Sequence, residues 1–145
     1  MQPVLFDSSI YVPALRRGET AILALRRWAP SSPVWLSSVV LEELYAGVKS
    51  RDRKAVEQLE YDFDRVKRIL VPELTDWAQT GKVLARLAQS YGYEQIGKAR
   101  LTNDALIAIS AIRIGAKIFT ANKRDFAKLA EFKPFLWQVV TFDSL

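Results

Sequence analysis

The chain has 145 residues and contains neither histidine nor cysteine, which leaves few groups able to do chemistry. Serine–histidine–aspartate catalysis, imidazole general bases, thiolate nucleophiles and histidine or cysteine metal sites are all excluded. What remains is a set of acids beside short apolar runs. Asp7 follows Val4-Leu5-Phe6, Glu42 and Glu43 lie between Ser38 and Gly47, Asp104 precedes Ala105-Leu106-Ile107-Ala108, and Asp125 lies shortly after Ile118-Phe119-Thr120. Carboxylates gathered in one place repel one another and raise each other's pKa. A hard divalent cation such as Mg²⁺ or Mn²⁺ removes that penalty, because it takes oxygen ligands, keeps several waters and shares its remaining positions with phosphate. Such an ion polarises a phosphodiester and activates a water, so no side-chain nucleophile is needed. Each acid also has a plainer role. Aspartate at a helix start caps free amides and suits the helix dipole, and Glu42 and Glu43 taken alone are ordinary helix-surface charges.

The elements that would carry these acids alternate short apolar runs with longer helical periods, the pattern of an α/β fold with a parallel sheet. Strands are expected at 3–6, 34–37, 69–71, 117–120 and 137–142. Helices are expected after the Asp7-Ser8-Ser9 cap, from Ser38 to about Gly47, over Arg51 to Ile69, over Asp76 to Tyr91 and over Asn103 to Ile114. Helical spacing puts Val56, Leu59, Phe63, Val66 and Leu70 on one inner face and Leu84, Leu87, Ala88 and Tyr91 on another, while 103–114 is apolar nearly all round. In a βαβ crossover the helix runs antiparallel to the strands, so its N-terminus lies at their carboxyl edge. Asp7, Glu43, Asp104 and Asp125 then share that edge, where open α/β folds bind their ligands.

Half of the residues are apolar, with 4 Trp, 5 Tyr and 7 Phe, enough for one sizeable core, and the length fits a single domain over 1–145. The formal net charge of +5 and the sequence pI of about 9.6 favour a polyanionic partner such as nucleic acid, or serve solubility. Setting four acids aside for metal leaves 12 acids against 21 basic residues. No apolar run approaches the ~20 residues that cross a membrane. The opening Met1-Gln2-Pro3 lacks a signal-peptide pattern, so a cytoplasmic location is expected.

Four segments together resemble the PIN-domain family. Val4-Leu5-Phe6-Asp7-Ser8-Ser9 is similar to its opening strand and first acid, and Glu43-Leu44-Tyr45-Ala46-Gly47 to its second-acid motif. Leu101-Thr102-Asn103-Asp104-Ala105-Leu106-Ile107-Ala108, the most specific of the set, is similar to the third, and Thr120-Ala121-Asn122-Lys123-Arg124-Asp125-Phe126 to the fourth. Each is weak alone, but the four in order cover essentially the whole chain. Within the family the pattern is most similar to VapC-type toxins, stand-alone endoribonucleases of toxin–antitoxin pairs. The resemblance implies a PIN-like three-layer α/β/α sandwich with a short, mainly parallel sheet. It also implies Mg²⁺- or Mn²⁺-dependent RNA cleavage, a small antitoxin partner and a homodimer. It makes Asp7, Glu43 and Asp104 the core acids and Asp125 the fourth, with Asn122 as a pocket neighbour. Family members place the fourth acid at either of these last two positions, and Asn122 carries no charge. Ser9 and Thr120 fit supporting hydroxyl positions that orient a carboxylate or a bound water. Glu43 is preferred to Glu42 because its spacing to Gly47 matches the motif.

Other signals point elsewhere. Gly92-Tyr93-Glu94-Gln95-Ile96-Gly97-Lys98 nearly matches a phosphate-binding loop, but Ala99 stands where the Mg²⁺-binding hydroxyl belongs and a helix precedes it, so no nucleotide cofactor is expected. Arg100, Lys123 and Arg124 are candidate RNA contacts. Arg16-Arg17, Arg26-Arg27 and Lys49–Lys54 read as a solvated face, and Trp28, Trp35, Trp77 and Trp137 as core or interface. Two alternatives are a catalytically inactive PIN-like binding module and a phosphoacceptor receiver domain. The latter requires an acid at the end of the third strand, where the sequence reads Val71-Pro72-Glu73.

Overall fold

The computed structural model describes residues 1–18, 25–92, 94 and 101–141. In chain order the elements are β1 (Val4–Phe6), α1 (Ser8–Arg17), β2 (Val34–Ser37), α2 (Ser38–Gly47), α3 (Arg53–Arg65), β3 (Ile69–Leu70), α4 (Leu74–Tyr91), α5 (Leu101–Arg113), β4 (Lys117–Thr120), α6 (Lys123–Phe132) and β5 (Trp137–Val139). The strands form a five-stranded sheet in the order β3-β2-β1-β4-β5, and every neighbouring pair is parallel. Helices flank this sheet, as the alternating pattern predicts. Leu5 at the centre faces Trp35 on one side and Ile118 on the other. All three residues of β1 are buried, which explains why it reads as an unbroken apolar run rather than an alternating one.

The order of the strands decides where a site can form. From β1 the chain steps outward through β2 and β3, then returns to the other side of β1 with β4 and β5. The carboxyl ends of β1 and β4 therefore flank a switch point, the place in an open parallel sheet where neighbouring connections diverge and leave a crevice.

Helix boundaries and phases differ from expectation at several points. The third predicted helix is shorter: α3 ends at Arg65, Lys67 takes a left-handed φ of 59°, and Val66 is exposed rather than inward. The Lys67 amide donates to Asp64 O and the Arg68 amide to Phe63 O, closing the helix as its chain turns into β3. In α4 the buried positions are Asp76, Thr80, Val83, Leu87 and Ala88. Leu84 is half-buried and Tyr91 faces outward, its hydroxyl donating to Glu131 Oε2 at 2.7 Å. This helix starts at Leu74, before Asp76, because Glu73 and Asp76 form a reciprocal capping box. The described part of α5 begins at Leu101, so Asp104 sits inside its first turn rather than at its opening. Trp77 is more than half exposed and is no core residue, and β5 ends at Val139 with residues 142–145 outside the described ones.

A clamp ties α4 to α5. Arg113 donates from Nε to Asp76 Oδ2 at 3.0 Å and from Nη2 to Val71 O at 3.0 Å, and Nη1 lies 3.2 Å from Glu73 Oε1. Among the described residues no helix is long and apolar enough to cross a membrane.

Candidate active site

Asp7 is the first residue after β1 and occupies the N-cap position of α1, yet its side chain makes no capping bond. Its carboxylate is committed elsewhere. Thr120 Oγ1, at the end of β4, donates to Asp7 Oδ2 at 2.9 Å, and Ser9 Oγ donates to Asp7 Oδ1 at 2.5 Å. The same hydroxyls are held by backbone, since Ser9 Oγ accepts from the Ala121 amide and Thr120 Oγ1 from the Asn122 amide, each at 2.9 Å. The ends of β1 and β4 are thereby stitched together around one buried carboxylate. Burial pushes Asp7 up to about 6, with the Ser9 and Thr120 hydroxyls pulling downward and the nearby Glu43 charge upward.

Asp104 projects from the first turn of α5, the helix that leads into β4. Among the described residues its carboxylate accepts no hydrogen bond, and its pKa rises to about 8. Burial is the largest cause, followed by the charges of Asp7, Glu43 and Asp125. Glu43 on α2 accepts from Ser8 Oγ at 3.2 Å. Glu42 is exposed and is approached by Asn103 Nδ2 at 3.5 Å. Asn122 is the N-cap of α6: its Oδ1 accepts from the Asp125 amide at 3.3 Å, while its Nδ2 donates to Asp125 Oδ2 at 2.9 Å. Asn122 therefore orients Asp125.

These residues converge. Asp7, Glu43, Asp104, Asn122 and Asp125 line one open pocket of about 390 Å³ at the switch point, and Ser9 lines it as well. Lys123 and Arg124 are exposed on the first turn of α6, while Arg100 and most of the phosphate-loop-like segment lie outside the described residues. The remaining lining residues, Ser8, Val12 and Pro13, are absent from the sequence-based set. Val12 and Pro13 follow from helical periodicity, being about one turn beyond Ser8 and Ser9 on α1. The Ser8–Glu43 contact crosses 35 residues and has no local signal.

The donor set is all oxygen, which suits a hard divalent cation and offers nothing to a soft one. Among the described residues no three acids draw together into a ready-made metal cage. Mg²⁺ does not need one, since it usually binds through one or two carboxylates and retains water. Asp7 and Asp104 supply that number, with Glu43 and Asp125 near enough to raise Asp104.

A family model for the PIN domain matches residues 4–132. The chain belongs to the PIN-domain family. Three solved structures share the fold of this PIN domain at low identity. They are VapBC2 from Rickettsia felis bound to a DNA fragment from their promoter (21% identity, TM-score 0.66, covering 97% of this chain and 100% of that one), DNA-bound VapBC from Salmonella typhimurium (20%, 0.68, 96% and 98%) and VapBC-1 from nontypeable Haemophilus influenzae (21%, 0.62, 95% and 98%). No curated protein matches the sequence at a significant level. Membership of the PIN family sets the receiver-domain reading aside, and β3 of this PIN domain ends at Leu70 with no acid at its tip.

Proposed function

We propose that the protein is a metal-dependent endoribonuclease of the VapC type, cleaving RNA phosphodiester bonds at the acidic pocket and restrained by a small antitoxin. The observation that carries this reading is the convergence of Asp7, Glu43, Asp104 and Asp125 on one pocket, where Asp104 is driven up to about 8. Buried, mutually repelling carboxylates with no cation beside them are unfavourable, and such arrangements recur where charge is used in chemistry. The similarity in fold to VapBC proteins supports the same reading, as does the basic balance of the chain.

Asp7 and Asp104 would hold the Mg²⁺ or Mn²⁺, with Glu43 and Asp125 completing the negative field around it. When bound, the cation supplies Lewis-acid polarisation of the phosphate and lowers the pKa of its water. The chain's own groups do the positioning. Ser9 and Thr120 fix both oxygens of Asp7, and their hydrogen bonds favour its charged form. Asn122 steers Asp125, and Ser8 steers Glu43. Lys123 and Arg124, exposed beside the pocket, contact the RNA backbone and stabilise charge on the phosphate. The same reading carries a homodimer and a cytoplasmic setting. The test is cleavage of total RNA by purified protein freed of any partner, with Mg²⁺, Mn²⁺ or EDTA. Discrete fragments that require both metal and an intact Asp7 are expected. Cleavage in EDTA, or undiminished cleavage by Asp7→Asn, would overturn the mechanism.

A further inference from the structure

The opposite edge of the sheet has a concavity of its own. Val34 begins β2, Arg68 immediately precedes β3, and the 3₁₀ turn Arg26–Trp28 lies alongside, so the three together mark the amino ends of the strands. Between them opens a cleft of about 410 Å³. Among the described residues its lining includes the apolar Pro30, Val34, Phe63 and Val66. Arg26, Arg65 and Arg68, all exposed, line the same space.

The geometry of α3's end produces this grouping. The left-handed turn at Lys67, held by the Lys67–Asp64 and Arg68–Phe63 backbone bonds, lets both Arg65 and Arg68 line one cleft. Among the described residues none of the three guanidiniums makes a salt bridge with a carboxylate. Asp62 also lines the cleft, its Oδ1 accepting from Gln58 Nε2 at 2.8 Å, and offsets one of the three charges. The cleft stays net cationic and so favours a further anion. Guanidinium forks match phosphate oxygens, and both guanidinium planes and apolar walls accept the face of a base.

We propose that this cleft is a second nucleotide-binding site that grips the RNA strand away from the acidic pocket, its arginines on phosphate and its apolar side chains against a base. The proposal rests on the ribonuclease reading above and extends it to how the substrate is held. Phosphates and peptide carboxylates engage the arginines alike, but only a nucleotide adds a flat face for the apolar side chains and an exocyclic amine able to donate to Asp62. The strands separating the two edges are at most four residues long, about 13 Å at ordinary rise. Helices cover the sheet, so an RNA strand joining the two sites passes over them; α3, 13 residues long, spans about 20 Å, or about six stacked nucleotides.

The test uses Asp104→Asn protein, which leaves RNA intact, with and without Arg65→Gln/Arg68→Gln. Fluorescence anisotropy with a labelled single-stranded oligoribonucleotide of mixed sequence, about 20 nucleotides long, is followed across a salt series. Losing two phosphate contacts should weaken binding about tenfold and flatten the slope of log K against log salt by about 1.4. Unchanged affinity and slope would overturn the proposal. So would an oligoglutamate peptide that displaces the RNA from Asp104→Asn protein and loses that ability when the arginines are replaced. Absence of any RNA binding by the Asp104→Asn protein would instead count against the ribonuclease reading. In that case a nuclear magnetic resonance titration with a nucleoside monophosphate decides the cleft alone: shifts at Phe63 and Val66 support it, and none refutes it.

Discussion

At the scale of single residues, Asp104 is the group most at odds with its surroundings, half-buried among three other acids and with no hydrogen bond to its carboxylate among the described residues. Asp104→Asn should therefore abolish cleavage and also raise the melting temperature of metal-free protein at pH 8, each pKa unit removed being worth about 1.4 kcal/mol. At pH 3, below the unfolded value of 3.8, the carboxyl is largely protonated folded or unfolded and the gain should all but vanish; thermal melts of both proteins at the two pH values check this. Asp7 is the converse case, a carboxylate whose charged form two hydroxyls favour. Thr120→Val should push Asp7 further above 6 and move the pH midpoint of Mn²⁺ binding upward, as read by calorimetry across pH. An unmoved midpoint would show that Thr120 has only a packing role. The aspartates were legible because each sits at a strand end or in a helix's first turn, beside apolar neighbours. What the sequence did not reveal was that Asp7 leaves the helix uncapped, since its carboxylate is held instead by Thr120, 113 residues away.

Among elements, α4 and α5 are joined by a contact that no periodicity announces. Asp76 caps α4 by accepting from the Glu73 amide at 2.8 Å and, while buried, receives Arg113 from the far end of α5. Asp76→Ala removes a cap and the buried one of the two carboxylates that hold Arg113, so it should lower stability by about 1–3 kcal/mol. Chemical denaturation measures this, and a loss below about 1 kcal/mol would mean the clamp contributes no more than a surface pair. The strands and the alternation of the fold could be read because a parallel sheet covered on both faces leaves unbroken apolar runs. The phase of α4 could not: Tyr91 continues the Leu84–Leu87–Ala88 spacing, yet it ends the helix where its hydroxyl reaches Glu131. Val66 failed for a related reason, because Lys67 reverses the chain before another helical turn forms. The arginine cleft was equally hidden. Its cations come from separate segments, and each segment alone resembles solvated surface.

For the whole molecule, the two raised carboxyls set a pH dependence. With folded values of about 6 and about 8 against an ordinary 3.8, Asp7 and Asp104 keep protons in the folded state that the unfolded chain has lost. Their contribution to stability is fully present below about pH 4 and drains away as the pH rises through 6 and then 8. Metal-free protein should melt on the order of 10 °C lower at pH 8.5 than at pH 5, and saturating Mn²⁺ should remove most of that difference. A melting temperature indifferent to both would mean that the pocket neither holds those protons nor exchanges them for a cation. The strand order has a consequence in time as well. β1 is made first but lies at the centre of the sheet, and the partner on its other side is β4, more than a hundred residues later. Until Lys117–Thr120 has left the ribosome, β1 presents an unpaired edge open to association with other chains. Asp7 over that interval lacks the Thr120 hydroxyl, and Asp125 does not yet exist. A nascent chain carrying three of the four acids therefore has no assembled pocket, which is complete only once the chain has grown past Asp125.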